Sequence, residues 1–427
     1  MSKIIWGGIA VVALTATAAT GAKFYADKSL EAYYQQQPIQ GSNYSLRYSN
    51  FEMGAVSGTA HWTLTWQRDP CLPESKYVFV GQDKIKRTWK GYEIDSDVRL
   101  EKSQDEYAKF IQKPLHTNTT INWTGGTKTR LTVPEIKLAE NDSQLQLSAV
   151  NIDVDARVSH QASVIKRLEL SIPSVTMLDS KGQVYFKNVV FKTNQGLNQE
   201  KLENGYFQFL VDNIHVISLE RDDTSVQFNH FDLKTDTVLN EQTVDVLTAM
   251  KVSSSRVGSA LEYKDLAFNF DLKGLNRAQV QLFNQLTQQQ DSSCAASKTY
   301  EKDATQALLA ILNSGFKFES LNNHMATSSG ELKANWTGTI MPNYINSPQT
   351  LAKMLPSVVD TQFDIEFDKN IIGSLAAFAG TPNSHPQQID EMLKAFEQQG
   401  KLKLNGNMVK MSMEYKFGQP NFLTPAS

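Results

Sequence analysis

The sequence lacks an excess of either charge: across 427 residues, 42 Lys and Arg are balanced by 45 Asp and Glu, and the formal net charge is −3. A near-neutral chain has no electrostatic footprint for nucleic acid, so we expect no nucleic-acid partner. Long apolar runs are equally scarce, because a mean hydropathy of −0.37 leaves room for one membrane-spanning segment at most. This excludes a multispanning transporter. The 41% of hydrophobic residues still suffices for a folded core, which excludes a disordered chain.

Short motifs of catalysis, phosphate binding and metal binding are also missing. The seven histidines include no H-E-x-x-H pair, and neither a G-x-S-x-G nucleophile elbow nor a P-loop occurs. No cluster of histidine and cysteine has the spacing of a zinc site. We therefore predict no catalytic residue, no cofactor and no metal site, and interpret the protein as non-enzymatic. An enzyme with a dispersed active site is the least favoured alternative.

Cysteine is rare, with two residues in the whole chain. Cys71 lies between two prolines and Cys294 lies in a polar, glutamine-rich stretch, so both are predicted to be in loops. In an oxidising compartment they could form one disulfide, which would close a loop of roughly 220 residues; two separate thiols are the alternative. The absence of a C-x-x-C motif argues against a thioredoxin-type redox role.

One uncharged apolar run is present, at residues 4–22. As a helix it would be ~28 Å long, just enough to cross a hydrocarbon core of ~30 Å. Phe24 and Tyr25 follow it like an aromatic belt, which favours an uncleaved signal anchor. An A-x-A site at residues 16–18 makes a cleaved signal peptide the alternative, and a buried core helix is the third. Both of the first two interpretations send the rest of the chain across a membrane.

Residues 44–274 show alternation of apolar and polar residues, as in the run at residues 168–172, which is typical of strands with one buried face. Turn sequences such as residues 179–182 separate the runs, and no amphipathic helix intervenes between residues 168 and 228. This predicts a long meandering antiparallel sheet that we expect to be curved. A slip in the alternation around residues 148–149 predicts a β-bulge.

After Gly274 the period changes to that of amphipathic helices. Helices are predicted at residues 276–290, 301–313, 347–355, 370–379 and 386–399, with strands between them and an Asn-Gly hairpin at residues 405–406. The predicted class is α+β, predominantly antiparallel β. The predicted parts are a signal anchor at 1–25, a linker helix at 26–43, a β-rich meander at 44–274, and helices with hairpins that pack on the sheet at 275–427.

Three places carry a family resemblance: the apolar run continuing into residues 21–25 (GAKFY) and then 29–31 (SLE), residues 47–58 (RYSNFEMGAVSG), and residues 270–275 (FDLKGL) leading into residues 282–286 (LFNQL). With the order of elements, they resemble the YdgA-like family of Gram-negative bacterial envelope proteins, a domain of unknown function. The resemblance implies a single-pass inner-membrane protein with its body in the periplasm. No catalytic motif belongs to it.

The apolar side of the predicted sheet needs a cover, which could be the helices after Gly274, a partner or a ligand. Six phenylalanines could line an apolar groove there: Phe186, Phe207, Phe209, Phe228, Phe268 and Phe270. The leading hypothesis is a non-enzymatic, membrane-anchored protein that binds or scaffolds in envelope maintenance. The alternatives are a lipid- or acyl-chain-binding module and a chaperone-like scaffold with an envelope protein partner. Small residues in the apolar run also permit a homodimer.

Overall fold

The computed structural model describes residues 34, 39–40, 44–69, 71–104, 108, 111–140, 142–158, 163–194, 202–218, 225–257, 261–292, 298–342, 357–372, 386–416 and 418–423. The chain divides into two units. The first comprises Met1–Met177, Asn188–Lys201 and Thr287–Ser297. The second comprises Leu178–Lys187, Leu202–Leu286 and Lys298–Ser427.

The first unit is an antiparallel meander in which each strand from β1 to β7 pairs with the next. Strands β8 and β9 form a hairpin, and β10 pairs with both β7 and β11. A short 3₁₀ turn at Pro73–Ser75 precedes β4. The strands are β1 Ile39–Gln40, β2 Tyr44–Met53, β3 Ser57–Gln67, β4 Lys76–Thr88, β5 Gly91–Ser103, β6 Leu115–Asn122, β7 Gly126–Val133, β8 Ile136–Glu140, β9 Ser143–Leu147, β10 Val150–Val158 and β11 Ser163–Leu178.

Strict alternation builds the core of this unit. In β6, for example, every second side chain is buried and those between are exposed. The larger core cluster is Leu46, Leu64, Trp66, Tyr77, Phe79, Val98, Leu115, Leu131, Val133, Ile152, Val154, Ala156 and Leu168. The smaller cluster is Tyr34, Ala60, Ile85, Tyr92, Ile94 and Ile121.

The second unit continues the antiparallel pattern, with β13 to β19 paired in sequence order, β21 on β19, and β20 and β22 on β21. Strand β12 and helix α1 are shared between the two units. The elements are β12 Gly182–Thr193, β13 Gly205–Ser218, β14 Val226–Leu239, β15 Thr243–Val257, β16 Leu261–Asn276, α1 Arg277–Ser292, α2 Lys298–Asn313, β17 Phe316–Thr327, β18 Gly330–Ile340, β19 Val359–Asp368, α3 Pro386–Gln398, β20 Lys403–Asn405, β21 Met408–Lys416 and β22 Gln419–Leu423.

The predicted antiparallel β architecture is confirmed, and so are the helices that became α1, α2 and α3, within a few residues. The predicted bulge at residues 148–149 is instead a break between β9 and β10, because the chain leaves the β8–β9 hairpin there and pairs with β7. The predicted anchor at residues 4–22 lies outside the described residues. Among the residues that the structure describes, no helix has both the length and the apolar character needed to cross a bilayer.

Candidate functional site: an apolar sheet face

Strands β13 to β16 carry large apolar residues in register. Phe209 is opposite Leu233, which is opposite Met250, which in turn is opposite Phe268. Directly opposite residues of an antiparallel pair lie on the same face and contact each other, so these four side chains form one apolar row across four strands.

Two parallel rows flank this one on the same face, because side chains recur with a period of two along a strand. They are Phe207–Thr235–Thr248–Phe270 and Val211–Phe231–Val252–Leu266. The rings of Phe209 and Phe231 meet edge-to-face, with centroids 6.0 Å apart. We call Phe207, Phe209, Phe231, Phe268 and Phe270 the phenylalanine face.

The three rows contain no charged residue, and their two hydroxyls bond to each other, since Thr235 and Thr248 are 3.2 Å apart. Val211 and Val252 are buried. Phe268, by contrast, exposes 44% of its surface. A large apolar side chain this open within uncharged rows is where an apolar ligand gains most from contact.

Among the described residues, helices α1 and α2 pack at one end of this face. Val280 and Phe283 of α1 pack against the cluster of Val244, Leu275 and Ile311. Val246 and Leu272, one row beyond Phe270, pack against the same cluster. Phe268 is two rows from that contact and stays exposed. The predicted cover by the helices after Gly274 is therefore present at the strand ends near α1.

The structure brings Phe207, Phe209, Phe268 and Phe270 together. Of the other two predicted groove residues, Phe228 lies in β14 in the row Ile214–Phe228–Ser255, and Phe186 lies in β12. Phe228 and Phe231 are three residues apart on β14, so strict alternation would place them on opposite faces of the sheet.

The alternation of apolar and polar residues along β14 shifts by one residue at His230. His230, between Phe228 and Phe231, has a φ of 50°, in the left-handed region that non-glycine residues rarely adopt. Asp265 of β16 has a φ of 49°. The pairs on either side place Ser253 of β15 between His230 and Asp265, so one transverse row crosses all three strands.

Other left-handed residues mark the same change elsewhere: Asn50, Asn188 and Asn322 have φ values of 50–58°. Each is the second of two consecutive exposed residues within its strand. A left-handed residue turns the strand so that the next apolar side chain returns to the side it would otherwise leave. The row at His230 therefore lets the apolar side of the sheet continue from Phe231 to Phe228.

This row was missed in the sequence, although a signal existed. In each of these strands the apolar phase switches, as from 226 and 228 to 231 and 233, and an Asn, Asp or His stands at the switch. Those residue types tolerate the left-handed conformation best after glycine.

A shallow groove of about 430 Å³ lies on β15 to β18, and its lining includes Val252 and Leu266 of the apolar rows. Lys251, Ala267 and His324 are successive cross-strand neighbours there. Asp265 and Glu331 also line it. Cations and acids are mixed in this groove, so it selects neither sign of charge.

The matching family is described as a bacterial protein family of unknown function, DUF945, and its model covers residues 1–422. The chain belongs to the DUF945 family. No curated protein and no solved structure matches it. The resemblance to a bacterial family of unknown function is thereby confirmed at this level.

In this DUF945 protein, Asp83 is an acid buried inside the first unit. Its Oδ2 accepts a hydrogen bond from Tyr34 Oη at 2.9 Å, and its Oδ1 accepts from Trp62 Nε1 at 2.7 Å and Ser96 Oγ at 2.6 Å. Burial raises the pKa of Asp83, and the three hydrogen bonds oppose the rise. An enclosed carboxyl with three donors is an organiser of the core, out of reach of a substrate.

The remaining predicted sites of the DUF945 chain are the cysteines. Cys71 is exposed, and its backbone N–H donates to Asp69 Oδ1 at 2.9 Å. Cys294 lies outside the described residues, so the disulfide stays a prediction. Among the residues that the structure describes, no group of three or more His, Cys, Asp or Glu side chains could hold a metal ion.

Proposed function

We propose that this DUF945 protein is a non-enzymatic binding protein of the bacterial envelope, tethered to the inner membrane by residues 4–22 with its body in the periplasm, and that the phenylalanine face binds acyl chains. The observation that carries the proposal is the arrangement of Phe209 and Phe268 in one uncharged row with Phe268 exposed. Burying apolar surface contributes ~25 cal/mol per Å², so a chain lying across these rows gains affinity without any polar contact.

The composition of the rows favours an acyl chain over a polar ligand. The rows combine aromatic and aliphatic side chains with one methionine, Met250. Its flexible thioether adapts to apolar ligands of different shape. The only hydroxyls in the three rows are already paired with each other. A ligand with polar groups along its length would lose hydrogen bonds to water there and gain none.

The tether supports the same interpretation, because it would hold the body close to a source of acyl chains. The aromatic pair after residue 22 matches the headgroup level of a bilayer. A protein held at that surface needs only modest affinity, because tethering raises the effective concentration of the lipid.

The binding experiment uses the full-length protein in detergent-free nanodiscs and cis-parinaric acid, a fluorescent fatty acid. We expect saturable binding, weakened about tenfold or more by Phe268→Asp, because the new carboxylate must lose its hydration beside the bound chain. Phe422→Asp is the matched control, since Phe422 of β22 is similarly open at 39%. Equal weakening in both variants, or no saturable binding to the wild-type protein, would contradict the proposed site.

The tether has its own test, on protein extracted from bacterial membranes. We expect the chain to stay in the membrane fraction after alkaline extraction, with its original N-terminus, because residues 4–22 are uncharged and long enough to span. Protease should digest the body only after the outer membrane is opened. A chain that begins at Ala19 or Lys23 would show cleavage and remove the tether from the proposal.

A further inference from the structure

Three turns of the first unit lie side by side where neighbouring strands of its sheet end. They connect β2 to β3, β4 to β5 and β6 to β7. The Arg87 N–H donates to the Val56 carbonyl at 2.8 Å, which joins the first two turns. The Trp123 N–H donates to the Lys90 carbonyl at 3.2 Å, and its indole N–H donates to the Trp89 carbonyl at 2.8 Å, which joins the second and third.

These turns present large apolar side chains to solvent. Val56 is 67% exposed, Trp89 is 83% exposed and Trp123 is 41% exposed. Neighbouring turns with such side chains make a patch, which a lone exposed tryptophan would not. We call Val56, Arg87, Trp89, Lys90 and Trp123 the turn edge.

Cations surround the two indoles. Lys90 Nζ lies 4.6 Å from the ring centroid of Trp89, and the Arg87 guanidinium lies 5.9 Å from that of Trp123. The hairpin segment at residues 84–93 carries four cations and one acid, Glu93, which is opposite Lys86. All four cations are exposed. The turn edge therefore combines apolar rings with positive charge.

The length of the intervening chain allows this edge and the proposed tether to reach the same bilayer. Tyr34 is buried in the smaller core cluster, where its ring stacks on Phe51 at 4.7 Å. The ring centroids of Tyr92, in the same cluster, and Trp123 are 5.3 Å apart, so this cluster adjoins the turn edge. From residue 22 to Tyr34 the chain can span ~40 Å at most. The edge thus lies within reach of the bilayer in which residues 4–22 are proposed to sit.

We propose that the turn edge is a second membrane contact, in which Trp89 and Trp123 insert at the headgroup level of an anionic bilayer and the surrounding cations meet lipid phosphates. The inference rests on the tether in the proposed function. Indole rings are apolar with one N–H, which suits them to the membrane interface, and each Lys or Arg near an anionic surface adds attraction. A body held at two points would present a fixed side to the lipid.

The experiment reconstitutes the full chain in vesicles of phosphatidylcholine with phosphatidylglycerol, whose acyl chains are brominated and quench nearby tryptophans. We expect Trp89→Ser to remove a distinct part of the quenchable emission. The matched control is Trp336→Ser in the second unit, where Trp336 is 41% exposed; it should remove emission that the bromolipid does not quench. Trp89 is so open that its loss should leave the fold intact.

The charge is tested with Lys86→Glu and Lys90→Glu. Each should shift the contact equilibrium about fivefold or more away from the anionic bilayer, and added salt should do the same. Lys317→Glu and Lys333→Glu, two exposed sites on the second unit, are the controls and should have no effect. Quenching that is unchanged by Trp89→Ser would overturn the inference.

Alkaline extraction of the same vesicles separates this inference from the tether. If the chain is retained but Trp89 is not quenched, only the turn edge is wrong. If the chain is released at high pH but Trp89 is quenched before extraction, the turn edge stands and the tether falls.

Discussion

Asp83→Leu is expected to lower the free energy of unfolding by about 3–5 kcal/mol, because leucine removes the buried acceptor that three hydrogen-bond donors share. Those donors are the hydroxyls of Tyr34 and Ser96 and the indole N–H of Trp62. The measurement is urea denaturation of the detergent-solubilised full chain, followed by tryptophan fluorescence. A loss below about 1 kcal/mol would show that these donors find other partners.

Asp83→Asn is the matched control. An amide keeps an oxygen acceptor for Trp62 and Ser96 and offers an N–H₂ to the Tyr34 oxygen, while it removes the desolvated charge. We therefore expect Asp83→Asn to be close to the wild-type protein in stability at neutral pH.

The pH dependence of the free energy of unfolding reports whether the Asp83 carboxyl group is protonated or ionised. Its folded pKa is raised, so the folded state holds the proton more tightly than the unfolded state does. The contribution of Asp83 to stability is then fully present below its unfolded pKa of about 4 and declines as pH rises through the folded pKa. Asp83→Asn should remove this decline. An unchanged slope of stability against pH in the variant would contradict a raised pKa.

Gly91→Ala should also destabilise strongly, by about 3 kcal/mol or more. Gly91 begins β5 with a φ of 146°, and a Cβ there would overlap the Ile121 carbonyl oxygen and lie 2.8 Å from the Asn122 Cα. Both atoms belong to the backbone of β6, so no side-chain rotation relieves the clash. The strands would have to separate where Gly91 pairs with Asn122.

Gly406→Ala is the control for the backbone conformation alone. Gly406 has a φ of 64° in the β20–β21 hairpin, and a Cβ there meets nothing within 4 Å. The left-handed conformation by itself costs about 1–2 kcal/mol for alanine. Equal losses of stability, in the same urea experiment, would show that the contact with β6 adds nothing at Gly91.

Local pattern was enough for most elements. Alternation predicted the strands of the second unit, and the stripe of Ile389, Leu393 and Phe396 predicted α3. Residues 405–406 predicted the β20–β21 hairpin, where Asn405 pairs with Met408. These signals are local, since each depends on residues within one or two turns or strands of each other.

The row through His230 and Asp265 has a local sequence signal that a single strand leaves ambiguous. A switch of apolar phase at His230 or Asp265 is visible in the sequence, yet in a single strand it also fits the end of that strand. Only neighbouring strands that switch at the same row distinguish the two, and that comparison requires the register. The slip at residues 148–149 predicts a bulge, but the structure has a strand break there, because β10 pairs with the distant strand β7.

The sequence by itself determined most of the segments that become strands, the apolar positions within them, and the presence of one uncharged run at residues 4–22. The tertiary structure alone decided that Phe209 and Phe268 share a row, that Trp89 lies beside Trp123, and that Asp83 meets Tyr34, Trp62 and Ser96 from 49, 21 and 13 residues away. Local pattern sets only the phase of a strand. The residue that lies opposite is set by hydrogen-bonded pairing between distant segments, which no single segment encodes.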